Sequence, residues 1–482
     1  MCTLCLSSNS PPASPGPDSR SDASSDIGSD AHIDARSDVG SDASIDPLSD
    51  VGIAHYLDIS IDARSDAGSD AVSDHSDSSD TSDSSTVVYG HEPFVTFESR
   101  VRDLAQKIWP DASPFDITVE RLPGGGYNRI IGLAKKTTSL LEADEPSGGP
   151  DTLQYIVRLP RFDSSNVRND VAALHFVKRF TTIPAPEVIK WNETDENELD
   201  SPFQIQNRIP GTTLLSAYTI LTHPQRCKLA HELGTAFASM LAVKSSTSGV
   251  FVQPLDANLE EALEGHVKIV PICGEDRESN SSSMTFSSSA ATTPVLDLFK
   301  SCIQEKKDEY QLRDPPLTFK IAYMDRFMAM ASELDEGGWF VNDHYSLAHL
   351  DFHPRNILVH PTSDTELPVL SGILDWDSAI LAPMFMSCLP PMWLWAWALD
   401  EDEDERKAND EPPTEESREL KRLFESAAGP DYLRHAYQPA FRLARQLLHF
   451  VINGLRTKED CDEADAMLFE WGSIHQAKPG ST

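Results

Sequence analysis

The sequence predicts a mixed α/β protein that follows an acidic segment without a core. Apolar and polar residues alternate on either side of a glycine cluster in "FDITVERLPGGGYNRIIGLAKKT", residues 115–137, as in two antiparallel strands joined by a loop. Before them, apolar residues recur at helical spacing at Phe97, Val101, Leu104, Ala105 and Ile108, and Pro110 closes the run. Residues 1–88 show neither period, and all eight Trp follow them. We therefore expect the core to form after this segment.

Residues 1–88 form a Ser/Asp-rich segment with internal repeats. "DARSDVGSDA" at 34–43 recurs as "DARSDAGSDA" at 62–71. With 17 Asp, no Glu, three Arg and no Lys, the segment carries a net charge of −14. It has too little apolar surface to offset the entropy of ordering it, so we predict a disordered acidic tail. Serines beside acids could be phosphorylated and recruit a protein partner; the alternative is a solvating spacer.

The net charge of −37 limits the classes of partner. Nucleic acids and anionic membranes are bound by clustered Lys and Arg, so we expect neither as a partner. A cationic or neutral small molecule remains compatible with this charge. The acidic run at 399–416 is interpreted first as a solvated loop, and alternatively as a rim that attracts a cationic substrate.

Seven Cys are few, odd in number and widely spread, which is typical of free thiols in a reducing compartment. We therefore expect free cysteines and a cytoplasmic location. Cys2 and Cys5 form a lone C-x-x-C, which is weak evidence for zinc without a second pair. The sequence does not open with a secretion-signal pattern. Three prolines interrupt the apolar stretch at 383–399, which favours a buried loop and helix over a membrane span.

Further elements follow the two predicted strands. Residues 153–160, "LQYIVRLP", have the pattern of a third strand, and residues 168–180 have helical spacing. Two prolines keep the segment at 182–189 extended. The segment "FQIQNRIPGTTL" at 203–214 is typical of a strand followed by a turn.

The glycine cluster has two interpretations. Gly124, Gly125 and Gly126 lack a Cβ, so backbone N–H groups there can approach phosphate oxygens closely. A tight hairpin would use the same residues. The phosphate interpretation gains from the order downstream: a basic residue on the third strand, Arg158, and an acid in the next helix, Asp170.

The segment "HLDFHPRNILVH" at 349–360 carries the strongest chemical signal. His349, Asp351 and His353 could converge on one metal ion, as in a hydrolase. The same letters fit a phosphotransferase loop, in which Asp351 and Asn356 act together. The hydrolase interpretation leaves Asn356, the glycine cluster and the later "GILDWD" at 372–377 unexplained.

In this order the motifs resemble the aminoglycoside phosphotransferase family, within the protein-kinase-like group. The likeness rests on "LPGGGYNRI", "YIVRLP", "NDVAALHFV", "IPAPEV", "QNRIPGTTL", "LAHLDFHPRNILV" and "GILDWDSA", and it covers roughly residues 93–400. It implies a bilobal kinase-like fold with a small β-sheet lobe and a larger, mainly helical lobe. The implied domains are the tail at 1–88, a nucleotide-binding lobe at 89–208, and a catalytic and acceptor-binding lobe at 209–482.

The resemblance also implies site residues. Asp351 would accept or orient the proton of the acceptor hydroxyl, and Asn356 and Asp375 would bind Mg²⁺ through oxygen. His349 would shape the loop by bonding to backbone, and His353 would occupy a variable position. The residues implied to contact ATP are Gly124, Gly125, Gly126, Asn128, Arg158, Asp170, Gln206 and Asn207, with backbone groups of the segment from Gln206 to Arg208 meeting the adenine.

Two residues depart from the family pattern. Arg158 stands where a Lys is usual, and Asp170 where a Glu is usual. A guanidinium can still hold phosphates and pair with a carboxylate, but its reach differs from that of an ammonium. The alternative is that Arg158 is only a surface residue of the strand.

The function expected is ATP-dependent phosphorylation of a hydroxyl on a small-molecule acceptor. Two alternatives stay open. One is a degenerate nucleotide-binding or scaffold protein without transfer activity, suggested by Arg158 and the tail. The other is a protein kinase, which is less favoured because no activation segment ending in A-P-E follows Asp375.

Overall fold

A computed structural model describes residues 94–122, 128–136, 152–161, 167–253, 267–273, 284–285, 292–361, 367–397 and 404–476. All of them belong to one compact unit, residues 48–482. The predicted tail at 1–88 and the glycine cluster at 124–126 lie outside the described residues.

The first lobe is built on an antiparallel sheet of five strands, ordered β1-β2-β3-β5-β4. The three strands predicted around and after the glycine cluster are confirmed, and β2 pairs with β3 along its whole length. The strand predicted at the start of 203–214 is also confirmed, as β5. The bounds are β1 Ile117–Arg121, β2 Asn128–Lys136, β3 Thr152–Pro160, β4 Val188–Asn192 and β5 Phe203–Asn207.

The two helices predicted before and after the first three strands are confirmed. Helix α1, Phe94–Ile108, places Val101, Leu104 and Ala105 in the core that the sheet strands form. Helix α2, Val167–Phe180, packs into the core of the second lobe instead. Helix α2 also carries Asp170, whose negative charge acts on Arg158 of β3.

The second lobe is mainly helical. Its helices are α3 Leu214–Ala217, α4 His223–Ala242, α5 Val295–Leu312, α6 Thr318–Glu336, α7 Glu415–Tyr437, α8 Pro439–Asn453 and α9 Lys458–Gln476. A kink at Gly429, with φ of 87°, interrupts α7 before Pro430. The short strands are β6 Thr212–Thr213, β7 Gly249–Val252, β8 Lys268–Val270, β9 Met284–Thr285, β10 Tyr345–Ala348, β11 Ile357–Val359, β12 Leu370–Ile373 and β13 Ile380–Pro383. The predicted bilobal α/β architecture is confirmed.

The hairpin of β11 and β12 positions the residues predicted to be functional. Ile357 pairs with Ile373, so the residue before β11 and the residue after β12 are neighbours. The Leu374 N–H donates to the Asn356 carbonyl at 2.7 Å. Asn356 and Asp375 are thereby brought to one end of the hairpin, as the resemblance required.

The prediction that all cysteines are free thiols is wrong for one pair. Cys273, after β8, and Cys302, in α5, form a disulfide with their Cα atoms 5.4 Å apart. They are 29 residues apart in sequence, and only the packing of α5 against the β8 end brings them together. Cys227, Cys388 and Cys461 are free among the described residues. No helix within the described ranges is both long and apolar enough to cross a membrane.

Candidate active site

Asp351 lies in the loop between β10 and β11 and is almost fully buried. Asn356 donates its Nδ2–H to Oδ2 of Asp351 at 2.7 Å and to the Asp351 carbonyl at 3.0 Å. Arg355 donates from Nη2 to the other carboxylate oxygen, Oδ1, at 2.6 Å. Each carboxylate oxygen has two lone pairs, so Asp351 can still accept a proton from a further partner. The carboxylate is thus fixed in one orientation before any substrate arrives.

The backbone at both ends of the site is left-handed. Leu350, directly before Asp351, has φ of 58°, and Asp375 has φ of 61°. Non-glycine residues adopt this region rarely, and each such residue costs on the order of 1–3 kcal/mol. The His349 Nε2–H donates to the Leu374 carbonyl at 2.8 Å and ties the two strained segments together. This bond confirms the prediction that His349 shapes the loop by bonding to backbone.

The electrostatic environment raises the pKa of Asp351. Burial is the largest cause, and the neighbouring Asp375 carboxylate adds to it. The Arg355 guanidinium, His349 and the hydrogen bond from Asn356 act in the opposite direction and limit the rise. A carboxylate with a raised pKa is a better proton acceptor than an ordinary one, which suits a general base.

The metal-ligating role predicted for Asn356 and Asp375 fits the donor atoms. Because the Asn356 amide nitrogen is committed to Asp351, its Oδ1 is the atom that could ligate a cation. Asp375 lies at the same end of the hairpin, and its side chain is 42 % exposed. Carboxylate and amide oxygens are the ligands that Mg²⁺ prefers. The residues therefore fit the metal that the resemblance implied.

Arg158 joins the two lobes at this point. From β3, its Nη2 donates to Oδ1 of Asp375 at 2.9 Å and to Oδ2 of Asp377 at 2.6 Å. Its side chain is only 10 % exposed, so Arg158 is not a surface residue of the strand. Although burial alone would lower the pKa of Arg158, Asp377, Asp375 and the predicted partner Asp170 outweigh it and raise the pKa. The guanidinium is therefore permanently charged.

Asp377 is a site residue that the sequence reasoning missed. Besides Arg158, it accepts from Nδ2 of Asn128 on β2 at 3.5 Å. Burial raises the pKa of Asp377 to about 6, with Asp375 adding to the rise and Arg158 opposing it. The sequence signal that could have identified Asp377 is that it is the second Asp of "DWD". The two carboxylates carry two negative charges against the one positive charge of Arg158. The remaining negative charge favours the binding of a cation.

Two backbone N–H groups of the segment from Gln206 to Arg208, which was predicted to meet the adenine, already donate to carbonyls of the protein. The Asn207 N–H donates to the Glu187 carbonyl and the Arg208 N–H to the Gln154 carbonyl, both at 3.0 Å. The buried Gln206 side chain donates to Gln204. Because these groups already have hydrogen-bond partners in the protein, a nucleotide would have to contact other backbone groups of this segment.

The alternative of an H-x-D-x-H metal cluster finds no support in the geometry. His349 bonds to backbone, and Nδ1 of His353 accepts from the Arg355 N–H at 3.3 Å. In the described part of the chain, His349, Asp351 and His353 do not form a group of converging ligand atoms.

A cavity of about 780 Å³ adjoins the loop that carries Asp351. Leu350 and Phe352, on either side of Asp351, line it together with Trp393 and residues of α8 and α9. Most of the lining is apolar, and each of its three arginines is paired with an acid of the lining. Arg442 donates to Glu470, Arg445 to Glu405, and Arg406 to Asp404. Within the acidic run at 399–416, the acids that line the cavity are therefore neutralised; residues 398–403 lie outside the described residues.

Comparison with known families identifies the class of protein. A model described as the phosphotransferase enzyme family, APH, matches residues 138–406, which is more than half of the chain. The chain belongs to this family. The resemblance seen in the motifs is thereby confirmed. Among curated proteins, no sequence matches the chain.

Solved structures similar to this phosphotransferase are aminoglycoside phosphotransferases. A GDP complex of an aminoglycoside 2'-phosphotransferase IIIa mutant is 14 % identical, with 79 % of this chain and 99 % of that chain covered and a TM-score of 0.38. Aminoglycoside phosphotransferase APH(4)-Ia is 15 % identical, with the same coverage and a TM-score of 0.38. A GDP and kanamycin complex of APH(2")-IIIa is 14 % identical, covering 77 % and 97 %, with a TM-score of 0.35.

Proposed function

We propose that this phosphotransferase transfers the γ-phosphoryl group of ATP to a hydroxyl of a small molecule. The observation that supports it best is the buried Asp351 carboxylate, held by Asn356 next to the Asp375–Arg158–Asp377 cluster. In this proposal the Asp351 carboxylate handles the hydroxyl proton, and the anionic cluster beside it binds a cation. Phosphoryl transfer needs these two elements and little covalent chemistry from the protein.

In the proposed reaction, the acceptor oxygen bonds to the γ-phosphorus while the bond from that phosphorus to the leaving oxygen of ADP breaks. The hydroxyl proton passes to Asp351, whose raised pKa suits this role. Mg²⁺, when bound by Asn356 and Asp375, would neutralise phosphate charge.

Arg158 is proposed to contact the phosphates from the opposite lobe. Its Nη2 is used by the two acids, but its buried Nε has no hydrogen-bond partner among the described residues. A buried donor without a partner costs about 1–3 kcal/mol, and a phosphate oxygen is an acceptor that would satisfy it.

The acceptor is proposed to occupy the cavity beside Asp351. Its volume is in the range of small-molecule sites, roughly 300–1,000 Å³. The largely apolar lining, in which each arginine is paired with an acid, suits a hydroxyl compound with an apolar body. We therefore expect the first active acceptors among amphiphilic alcohols.

The test uses the full chain with ATP and Mg²⁺ against a library of hydroxyl compounds, with ADP release as the readout. We expect release that requires an acceptor and falls at least about 100-fold in Asp351→Asn, with ATP affinity nearly unchanged. Asp308→Asn, an exposed carboxylate on α5, is the matched control and should keep full activity. ATP binding without transfer to any compound would instead favour the degenerate, non-catalytic alternative, and full turnover in Asp351→Asn would exclude its role as base.

A further inference from the structure

We propose that His223, Cys227 and Glu419 form a binding site for Zn²⁺ or a chemically similar transition-metal ion. The site lies between α4 and α7, on elements that do not carry the candidate catalytic residues. It is independent of the Mg²⁺ ligands proposed above, because it uses nitrogen and sulfur donors that Mg²⁺ does not favour.

The helices bring the three side chains together. His223 and Cys227 are four residues apart on α4 and share one face of that helix. Glu419 reaches them from the first half of α7. The ligand atoms of the three residues all lie within 4.8 Å of one another. Cys227 also packs against the core of the second lobe, so its position is anchored.

Two of the three distances between ligand atoms are close to those around one ion, and the third lies within 4.8 Å. Nε2 of His223 is 3.4 Å from the Cys227 sulfur and 2.9 Å from Oε2 of Glu419. In a tetrahedral zinc site with bonds of about 2.0–2.3 Å, neighbouring ligand atoms are separated by roughly 3.3–3.8 Å. The sulfur–nitrogen pair already has this spacing. The nitrogen–oxygen pair needs to open by a few tenths of an ångström, which a partly exposed glutamate allows.

The surroundings also fit a metal site. Nδ1 of His223, the ring nitrogen that would not ligate, is 4.0 Å from Oε2 of Glu416. Histidine ligands commonly donate their second N–H to such a carboxylate, which fixes the ring. Arg422 is the opposing charge, but it lies 4.0 Å from Oε1 of Glu419, the oxygen that does not face the histidine. Three protein ligands leave a fourth position for water.

Binding must displace the thiol proton. Burial, followed by Glu419 and Glu416, raises the pKa of Cys227, whereas Arg422 lowers it. A metal that binds the thiolate competes with this proton, so the affinity should increase with pH. Because the ion would bridge α4 and α7, it should also stabilise the folded protein against unfolding.

The experiment uses the full chain after removal of metal with a chelator. Cobalt(II) is titrated in the presence of excess Mg²⁺, and the thiolate-to-cobalt charge-transfer absorption is followed; Zn²⁺ affinity is then obtained by competition. We expect one ion per chain, loss of the charge-transfer band in Cys227→Ser, and at least tenfold weaker binding in His223→Ala and Glu419→Gln. Cys461→Ser, a free cysteine on α9, is the matched control and should bind like wild type.

A second measurement keeps the proposal testable if a variant does not fold. Alkylation of Cys227 in the wild-type chain, mapped by mass spectrometry, should slow at least tenfold when Zn²⁺ is added, whereas Cys461 should be unaffected. No charge-transfer band, or Zn²⁺ affinity unchanged in Cys227→Ser, would leave His223 and Glu419 as an interhelical hydrogen bond only and overturn the proposal. Asp375→Ala should not alter zinc binding, which separates this result from a failure of the proposed function.

Discussion

Arg158 connects the sheet lobe to both acids of the "DWD" segment. Arg158→Ala should weaken ATP binding at least tenfold. The substitution removes the hydrogen-bond donor that is proposed to contact the phosphates, and it leaves Asp375 and Asp377 without their cation. Arg158→Lys should retain part of the affinity, since the charge is kept but the fork is lost. Calorimetric titration with ATP and Mg²⁺ measures this. Equal affinities in wild type and both variants would mean that Arg158 has no part in nucleotide binding.

Arg355 donates to the Asp351 carboxylate, and we expect it to affect activity through that group. Its guanidinium lowers the pKa of Asp351 against the larger effect of burial. Arg355→Ala should therefore raise that pKa further. Because Asp351 accepts a proton only when ionised, the acidic limb of the kcat/KM profile should move to higher pH in the variant.

The pH profile of ADP release measures this shift. Arg355→Lys should return the limb most of the way toward wild type, and Arg313→Ala, a remote arginine at the end of α5, should leave it in place. A lower kcat with an unmoved acidic limb would show that Arg355 matters for folding of the loop and not for the charge on Asp351.

Sequence reasoning singled out Asp351, Asn356 and Asp375 from the motifs that carry the family resemblance, and their roles stay predictions. It missed Asp377 as a partner of Arg158, since 219 residues separate the two and only the left-handed turn at Asp375 directs both acids at β3. It also assigned the backbone of the segment from Gln206 to Arg208 to the adenine, whereas the N–H groups of Asn207 and Arg208 donate to other backbone carbonyls. These hydrogen bonds depend on how β3 and the segment before β4 lie beside β5, which a local sequence pattern does not predict.

At the scale of elements, alternation of apolar residues was sufficient to predict β1, β2 and β3, and helical spacing was sufficient for α1 and α2. The disulfide between Cys273 and Cys302 could not be predicted in this way. Periodicity reports which face of an element is buried, but it does not report which distant element covers that face. The same limit applies to His223 and Glu419, which belong to two helices nearly 200 residues apart.

The connection between β5 and β6, the strand that pairs with β11, depends on Gly211. Its φ is 124°, and a Cβ there would lie 2.6 Å from the Val359 carbonyl oxygen of β11. Gly211→Ala should destabilise the fold by about 1–3 kcal/mol, because it combines backbone strain with a clash against backbone. Activity should fall as well, since β11 begins directly after Asn356.

Thermal unfolding measures the change, which we expect as a Tm lower by several degrees. Gly472→Ala is the matched control: this glycine lies within α9, and a Cβ there would meet nothing within 4 Å. It should be neutral or should stabilise by up to about 1 kcal/mol, because alanine favours helix. A Gly211→Ala variant as stable as Gly472→Ala would show that β11 can shift away from the connection.

At the scale of the whole molecule, the chain combines two charge distributions. Residues 1–88 carry −14 of the net −37, and the remaining −23 belongs to the part that contains the family match. Within that part, the described active site concentrates carboxylates around one buried guanidinium. Magnesium-bound nucleotide is therefore expected to bind better than nucleotide alone, since free ATP would add negative charge to a negative site.

The Ser/Asp segment is expected to contribute nothing to stability. Deleting residues 1–88 should leave the Tm and the rate of ADP release essentially unchanged, because a segment with so few apolar side chains has little to pack against a core. Deleting residues 1–110 is the informative comparison. It also removes α1, whose Val101, Leu104 and Ala105 are buried against the sheet, so the Tm should fall markedly. A Tm loss of several degrees in the shorter deletion would indicate that the acidic segment docks on the folded part after all.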